Sequence, residues 1–162
     1  MDISQQIDDL HSPQVALRRS AAERLALTPD AAAAVSLARA SGDDDEQVRQ
    51  WAVAALEELG APDVGDVGAL AELLTDPETD VRYWAATLLG RVGEGARQAV
   101  GALSRVLDAD AEPAVRQRAA WAIGQMGRVA ASARQALTRA TQTEDVRLAR
   151  LAREALQRLG DA

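Results

Sequence analysis

Apolar positions follow a helical period and then recur as a block. From Val81, offsets 0, 4, 8 and 11 hold Val81, Ala85, Leu89 and Val92, which share one side of a helix at 3.6 residues per turn. Ala86, next to that side, is small and suits close contact with a neighbouring helix. The stretch that carries them, residues 81–93, reads V-R-Y-W-A-A-T-L-L-G-R-V-G, and it has copies. Residues 48–60 read V-R-Q-W-A-V-A-A-L-E-E-L-G, and residues 115–127 read V-R-Q-R-A-A-W-A-I-G-Q-M-G. A weaker copy starts at Leu17 and a fifth at Leu148, so successive starts lie 31, 33, 34 and 33 residues apart. Such a period marks a stacked repeat architecture. Each unit there buries its apolar side on its neighbours and no central core is needed.

The intervening segments predict the other half of each unit. Every later copy is preceded by a cap-rich loop, at residues 42–46, 76–78, 108–113 and 141–144. The copies end near Gly60, Gly93, Gly127 and Gly160, each suited to a left-handed cap. Second helices follow at about residues 64–74, 96–107 and 129–140, with Ala96, Val100, Leu103 and Leu107 as one buried stripe. Ahead of the first copy, Ile3, Ile7 and Leu10 mark a short helix over residues 2–10. Ser12-Pro13 fits an N-cap with proline at the first helical position. Thr28-Pro29 stops the first copy, and Asp30 caps a helix over residues 31–40. The expectation is an all-α, right-handed α-solenoid of about five helical hairpins. Roughly ten helices stand in two rows, as one domain over residues 1–162. Whole repeats span 12–41, 42–75, 76–107 and 108–141, with half repeats at 1–11 and 142–162.

Composition adjusts this picture in three places. Alanine dominates the 48% of hydrophobic residues and Phe is absent, so helices must approach closely to gain dispersion contacts. There is no Cys, which excludes disulfides and thiolate metal sites. Every basic residue is Arg, as a genome rich in G and C would produce. The N-terminus lacks a secretory pattern, and no run approaches a membrane span. A cytoplasmic protein with no membrane partner is expected.

These residues resemble the HEAT repeats, in particular the short bacterial kind called phycobilisome-lyase-type HEAT-like repeats. The shared features are D-x-x-x-x-V-R-x-x-A-A-x-x-L-G and a following helix that ends in L-x-D. Here they stand as Asp76, Val81-Arg82, Ala85-Ala86 and Leu89-Gly90. They recur as Asp110, Val115-Arg116, Ala119-Ala120 and Ile123-Gly124, and as Asp43, Val48-Arg49, Ala52 and Leu56. The resemblance covers nearly the whole chain. It implies a ladder of hydrogen bonds between repeats from Asp43, Asp76 and Asp110 with Arg49, Arg82 and Arg116. The first copy has Ser12 and Arg18 at these positions, and the last has Ala149 where the Arg should stand.

No catalytic constellation emerges. His11 is the single His, and no spacing gives it a nucleophile. The iron-binding branch of such families uses His-Glu pairs, and this chain has none. The run Asp43-Asp44-Asp45-Glu46 lacks the ligand spacing of a calcium loop and reads as a solvated cap. No cofactor or metal is expected, and nothing picks out a bilin site.

Surfaces carry the remaining argument. In HEAT-like stacks the second-row helices line the concave side. The face opposite Leu70 holds Ala69 and Glu72, with period partners Ser36, Ala102 and Ala136, and Arg39, Arg105 and Arg139. A stripe of small residues flanked by charge would admit a helix or an extended peptide. An ordinary solvated face is the other reading. Trp51 and Trp84 share offset 3 and point into the seam between repeats, whereas Tyr83 and Trp121 point outward as partner anchors. Residues 1–112 hold 21 acids and 9 Arg; residues 113–162 hold 4 acids and 9 Arg. The acidic balance disfavours nucleic acid, which only the Arg-rich C-terminal repeats would attract. The expected function is a non-enzymatic scaffold that binds a protein or peptide on its concave face. The alternatives are an accessory subunit of an enzyme resembling a phycobilin lyase, and nucleic-acid binding through the C-terminal repeats.

Overall fold

The computed structural model describes residues 2–160; Met1, Asp161 and Ala162 lie outside it. In chain order the α-helices are α1 Ile3–Leu10, α2 Val15–Leu27, α3 Ala34–Ala40, α4 Glu46–Glu58, α5 Val67–Leu73, α6 Thr79–Val92, α7 Val100–Ala109, α8 Pro113–Met126, α9 Arg134–Ala140 and α10 Val146–Leu159. Even-numbered helices carry the motif and form the first row; odd-numbered ones form the second. Each second-row helix packs on the motif helix that follows it, α1 on α2 through α9 on α10. The molecule is an α-solenoid. No helix among the described residues is long and apolar enough to cross a membrane.

The second row is less uniform than its periodicity suggests. Short 3-10 segments, Ala31–Ala33, Val64–Asp66, Gly93–Ala99 and Gly127–Ala133, lead into α3, α5, α7 and α9. The predicted second helices are therefore composites of a tight turn and a short α-helix. Two kinds of junction produce them. After α6 and α8, Gly93 (φ 67, ψ −133) and Gly127 (φ 60, ψ −138) turn the chain straight into the 3-10 segment. That backbone conformation is open to glycine almost alone. After α2 and α4 the chain instead crosses an extended Pro-Asp link. Asp30 accepts the Ala32 N–H, and Asp63 accepts the Gly65 N–H. Gly60 corrects the sequence expectation, because α4 has already ended at an extended Leu59 and Gly60 has no positive φ. Ser12 is a second correction. Its hydroxyl accepts the Gln14 N–H in a turn, and α2 starts later, at Val15.

The offset pattern holds the interior together. Val48, Val81, Val115 and Leu148 are buried, as are Ala52, Ala85, Ala119 and Ala152. Leu17 departs from it at 39% exposure, whereas Val81 is covered by the loop at Gly42. First-row backbones approach closely in α2–α4, α6–α8 and α8–α10, and hardly at all in α4–α6. Offsets 5 and 9 explain the difference. They hold Ala22 and Ala26 on α2, Ala86 and Gly90 on α6, and Ala120 and Gly124 on α8. On α4 they hold Val53 and an exposed Glu57. A Cβ on Gly90 would lie 3.0 Å from the Ala122 Cα, and one on Gly124 3.2 Å from the Ala155 Cα. A side chain at either position would need its neighbour to shift.

Candidate functional site

The arginine–aspartate ladder forms in part. Each motif arginine first satisfies carbonyls of its own loop: Arg18 those of Ser12 and Pro13, Arg49 those of Asp43 and Asp44, Arg82 those of Asp76 and Pro77. The other edge of the guanidinium then reaches the next repeat. Arg18 grips Asp43 at 2.8 and 3.0 Å, and Arg82 grips Asp110 at 2.7 and 3.1 Å. Burial alone would raise the pKa of both carboxylates. The arginine fork and a loop N–H more than offset it, so both lie below the usual range. Arg49 makes no such pair with Asp76, whose carboxylate accepts the Glu78 N–H. Arg116 turns back to the Leu107 carbonyl, with Thr143 standing where the next aspartate would be.

The wide α4–α6 junction is filled by larger groups. Trp84 and Leu88 are buried on the face of α6 that carries Arg91, and Arg91 donates to the Leu56 and Leu59 carbonyls at 2.6 Å each. A cation on the open end of α4 satisfies carbonyls that no helical N–H reaches. Burial lowers the Arg91 pKa, helped by the nearby Arg118 charge.

One junction further on lies a recess in the surface. A pocket of about 180 Å³ is lined by Tyr83, Ala114, Gln117, Arg118, Trp121, Arg147 and Leu151. It spans α6, α8 and α10 on the first-row side. The Arg118 guanidinium sits 4.8 Å from the Tyr83 ring centre and 5.1 Å from that of Trp121, and donates to the Tyr83 hydroxyl. Tyr83 is itself braced edge-on against buried Trp84, with ring centres 5.6 Å apart. Gln117 donates to Asp145 at 2.8 Å, which ties α8 to the start of α10. Asp145 also accepts the Leu148 N–H, and that bond first, with the Gln117 contact, holds its pKa below the usual range. Neither Arg118 nor Arg147 has a carboxylate partner among the described residues.

Residues 67–157 match the family described as HEAT repeats. The chain belongs to the HEAT-repeat family. Among solved structures it is similar to an engineered protein at 21% identity and TM-score 0.66, over 98% of this chain and 80% of that one. A designed armadillo repeat protein in complex with the peptide (KR)4 is similar at 19% identity and TM-score 0.70, over 97% and 81%. A chain from the complex of CpcE and CpcF of phycocyanin lyase from Nostoc sp. PCC7120 is similar at 24% identity and TM-score 0.67, over 99% of this chain and 65% of that one. At these identities the likenesses establish the fold. No curated protein matches the sequence.

Within this HEAT-repeat protein the sequence-predicted site residues divide. Tyr83 and Trp121 come together on one pocket, and both are half-buried where free outward anchors were expected. Packing against Arg118 is the reason. On the second row, Arg39, Glu72 and Arg105 are exposed, and Ala69 and Ala102 are half-buried. Ala136 is buried where α9 packs between α7 and α10, so the small-residue stripe does not continue across it. Arg139 is occupied by Asp108 at 2.7 Å. Ser36 meets His11 at 3.0 Å, a contact that ties the end of α1 to α3. The acids of residues 43–45 are engaged by Arg18 and Arg19. Among the described residues no His, Cys, Asp or Glu side chains gather as a metal would require. Arg118, Gln117, Arg147 and Leu151 were missed. The available signal was an arginine at offset 3, where α4 and α6 carry tryptophan.

Proposed function

We propose that this protein is a non-enzymatic binding module that seats a segment of a protein or peptide on the first-row pocket between α6, α8 and α10. The observation that carries this reading is Arg118, held over two aromatic rings at the edge of a recess. A cation fixed in that way loses little freedom on binding, and Trp, Tyr and Arg are the residues that dominate binding energy at interfaces. At about 180 Å³ the recess is smaller than the roughly 300 Å³ at which small-molecule sites begin. It matches one side chain of a larger partner. The solved relatives include a repeat protein holding a peptide and one holding another subunit, which supports a polypeptide as the partner. An accessory role beside an enzyme is the second reading, supported by the likeness to a chain of the CpcE–CpcF complex.

Selection from a displayed random peptide library tests the proposal. Enriched peptides should bind the intact protein and lose at least about tenfold in affinity, or 1.4 kcal/mol, on Leu151→Glu. Helical content should not change, since Leu151 is only half-buried. A library that yields no binder, or binders indifferent to Leu151→Glu, would remove this pocket from the function.

A further inference from the structure

Building on that reading, we infer that the pocket takes an acidic side chain of the partner polypeptide, flanked by an apolar residue. Two arginines give the pocket lining positive charge. Arg118 and Arg147 both line it, and Arg91 stands close enough for its charge to interact with that of Arg118. Five other arginines are spent on carboxylates: Arg18, Arg19, Arg82, Arg139 and Arg150 each hold an Asp or Glu. Arg118 and Arg147 are among the arginines that hold none, in a chain with 25 acids to 18 basic residues. A guanidinium offers five N–H donors, and Arg118 uses one on the Tyr83 hydroxyl. The remainder suit a carboxylate, which a guanidinium grips through two parallel bonds.

Asp145, bonded to the pocket residue Gln117, does not satisfy this pair. Asp145 is bound to Gln117 and to the Leu148 N–H, and its side chain is not an ion-pair partner of either arginine. Its negative charge at the start of α10 also discriminates among ligands. A phosphate dianion would meet repulsion from Asp145 and would find the α10 N-terminus already capped. A carboxylate monoanion placed between Arg118 and Arg147 meets less repulsion.

The apolar requirement comes from the rim. Leu151 and Trp121 line the recess, and Val146, next to Arg147 in sequence, is 81% exposed. That exposure stands out in a chain whose valines and leucines are otherwise mostly buried. An acidic residue with an apolar neighbour would engage the arginine pair and cover this surface together. The surrounding charge favours the approach of such a segment, because residues 113–162 carry 9 Arg against 4 acids while the chain as a whole is at −7.

The test compares two peptides blocked at both ends, one alternating leucine and glutamate and the other leucine and glutamine, by fluorescence anisotropy with the intact protein. The glutamate peptide should bind at least about tenfold more tightly than the glutamine peptide. Arg147→Glu should abolish that advantage without lowering the melting temperature, because Arg147 is exposed and unpaired. Raising the salt concentration should weaken the glutamate peptide selectively. Equal binding of both peptides overturns the inference, as does tighter binding of a phosphoserine peptide. A free C-terminal carboxylate being required assigns the site to chain ends and also overturns it. Concentration-dependent dimers that Arg147→Glu dissolves assign the site to a second copy, with the same consequence. If neither peptide binds while library-selected peptides still depend on Leu151, the acidic anchor is wrong and the module stands. If no peptide of any composition binds, both fail.

Discussion

The α6–α8 and α4–α6 junctions join the same kind of repeat by opposite means. At α6–α8 the backbones close on Gly90 and Ala86, and Arg82 grips Asp110 across the joint. At α4–α6 the corresponding residues are Glu57 and Val53, and Arg49 grips nothing beyond its own loop. The forward face of α4 thus resembles that of α10, which shows Arg153 and Gln157 at these offsets. Side chains do the work of backbone contact there: Trp84 and Leu88 occupy the space, and Arg91 secures the end of α4. The family match begins at residue 67, at the start of α5, past the end of α4. A solenoid's stability is close to a sum of repeat and nearest-neighbour terms. A replaced ladder and a widened joint therefore divide the molecule into an α1–α4 block and an α5–α10 block with a weaker interface between them.

Steric substitutions should separate the two junctions most strongly. The added Cβ of Gly90→Ala falls 2.3 Å from Trp121 Cζ3 and 3.0 Å from the Ala122 Cα. The ring can move, but the backbone of α8 cannot, so about 3 kcal/mol should be lost. Gly124→Ala meets Ala155 at 3.2 Å and should cost about 1 to 2 kcal/mol. Glu57→Ala, at the matching offset of α4, should stay within about 0.5 kcal/mol of the parent. Urea unfolding with a common m-value measures all three. Similar losses at Gly90 and Glu57 would erase the distinction between the junctions. Gly90→Ala should also weaken peptide binding, since the displaced ring is the one Arg118 rests on.

What was legible in the sequence follows from which relations lie within one copy. Offsets 0, 4, 8 and 11 describe how a motif helix faces its own hairpin, and Val81, Ala85 and Leu89 showed it in a single line of text. Treating the copies as equivalent concealed the exception, although Val53 and Glu57 were visible at the offsets where the other internal motif helices have Ala or Gly. The pocket was harder to read. It depends on offset 2 of α6 meeting offsets 3 and 6 of α8, a relation that becomes visible only once the stagger of adjacent helices is known. Tyr83 and Trp121 were recognised singly, without the arginine that joins them. Gly60 shows the converse error: a glycine in the right place was read as a cap, while Arg91, 31 residues on, provides the cap.

Ladder substitutions should come next in size. Asp110 is 6% exposed in its side chain and holds both edges of a rung. Asp110→Ala leaves Arg82 half-buried and unpaired and should cost about 2 kcal/mol. Asp76→Ala removes one turn-closing bond and should cost about 0.5 kcal/mol. Acid unfolding gives an independent reading. The Asp110 pKa is depressed in the folded protein, so its contribution is complete above the unfolded value of about 3.9 and is lost as pH falls through the folded value. Asp110→Asn should therefore flatten the acid limb of the stability profile below about pH 4. Equal losses from Asp110→Ala and Asp76→Ala would mean that the rung is not a source of unequal coupling.

Arg91→Ala offers the finest test, because the hydrogen bonds it removes cross the weak junction. The variant uncovers the Leu56 and Leu59 carbonyls at the end of α4, where water can take over part of the bonding. The cost should be modest, about 1 kcal/mol. Its distribution is the informative part. If the two blocks are coupled mainly through this arginine and the residues beneath it, amide exchange should quicken across α2 and α4, while α8 and α10 keep their protection, since their glycine contacts and the Arg82–Asp110 rung are untouched. A loss spread evenly over all five first-row helices would show a single cooperative unit, with the α4–α6 joint as strong as the others by means of Trp84 and Leu88 alone.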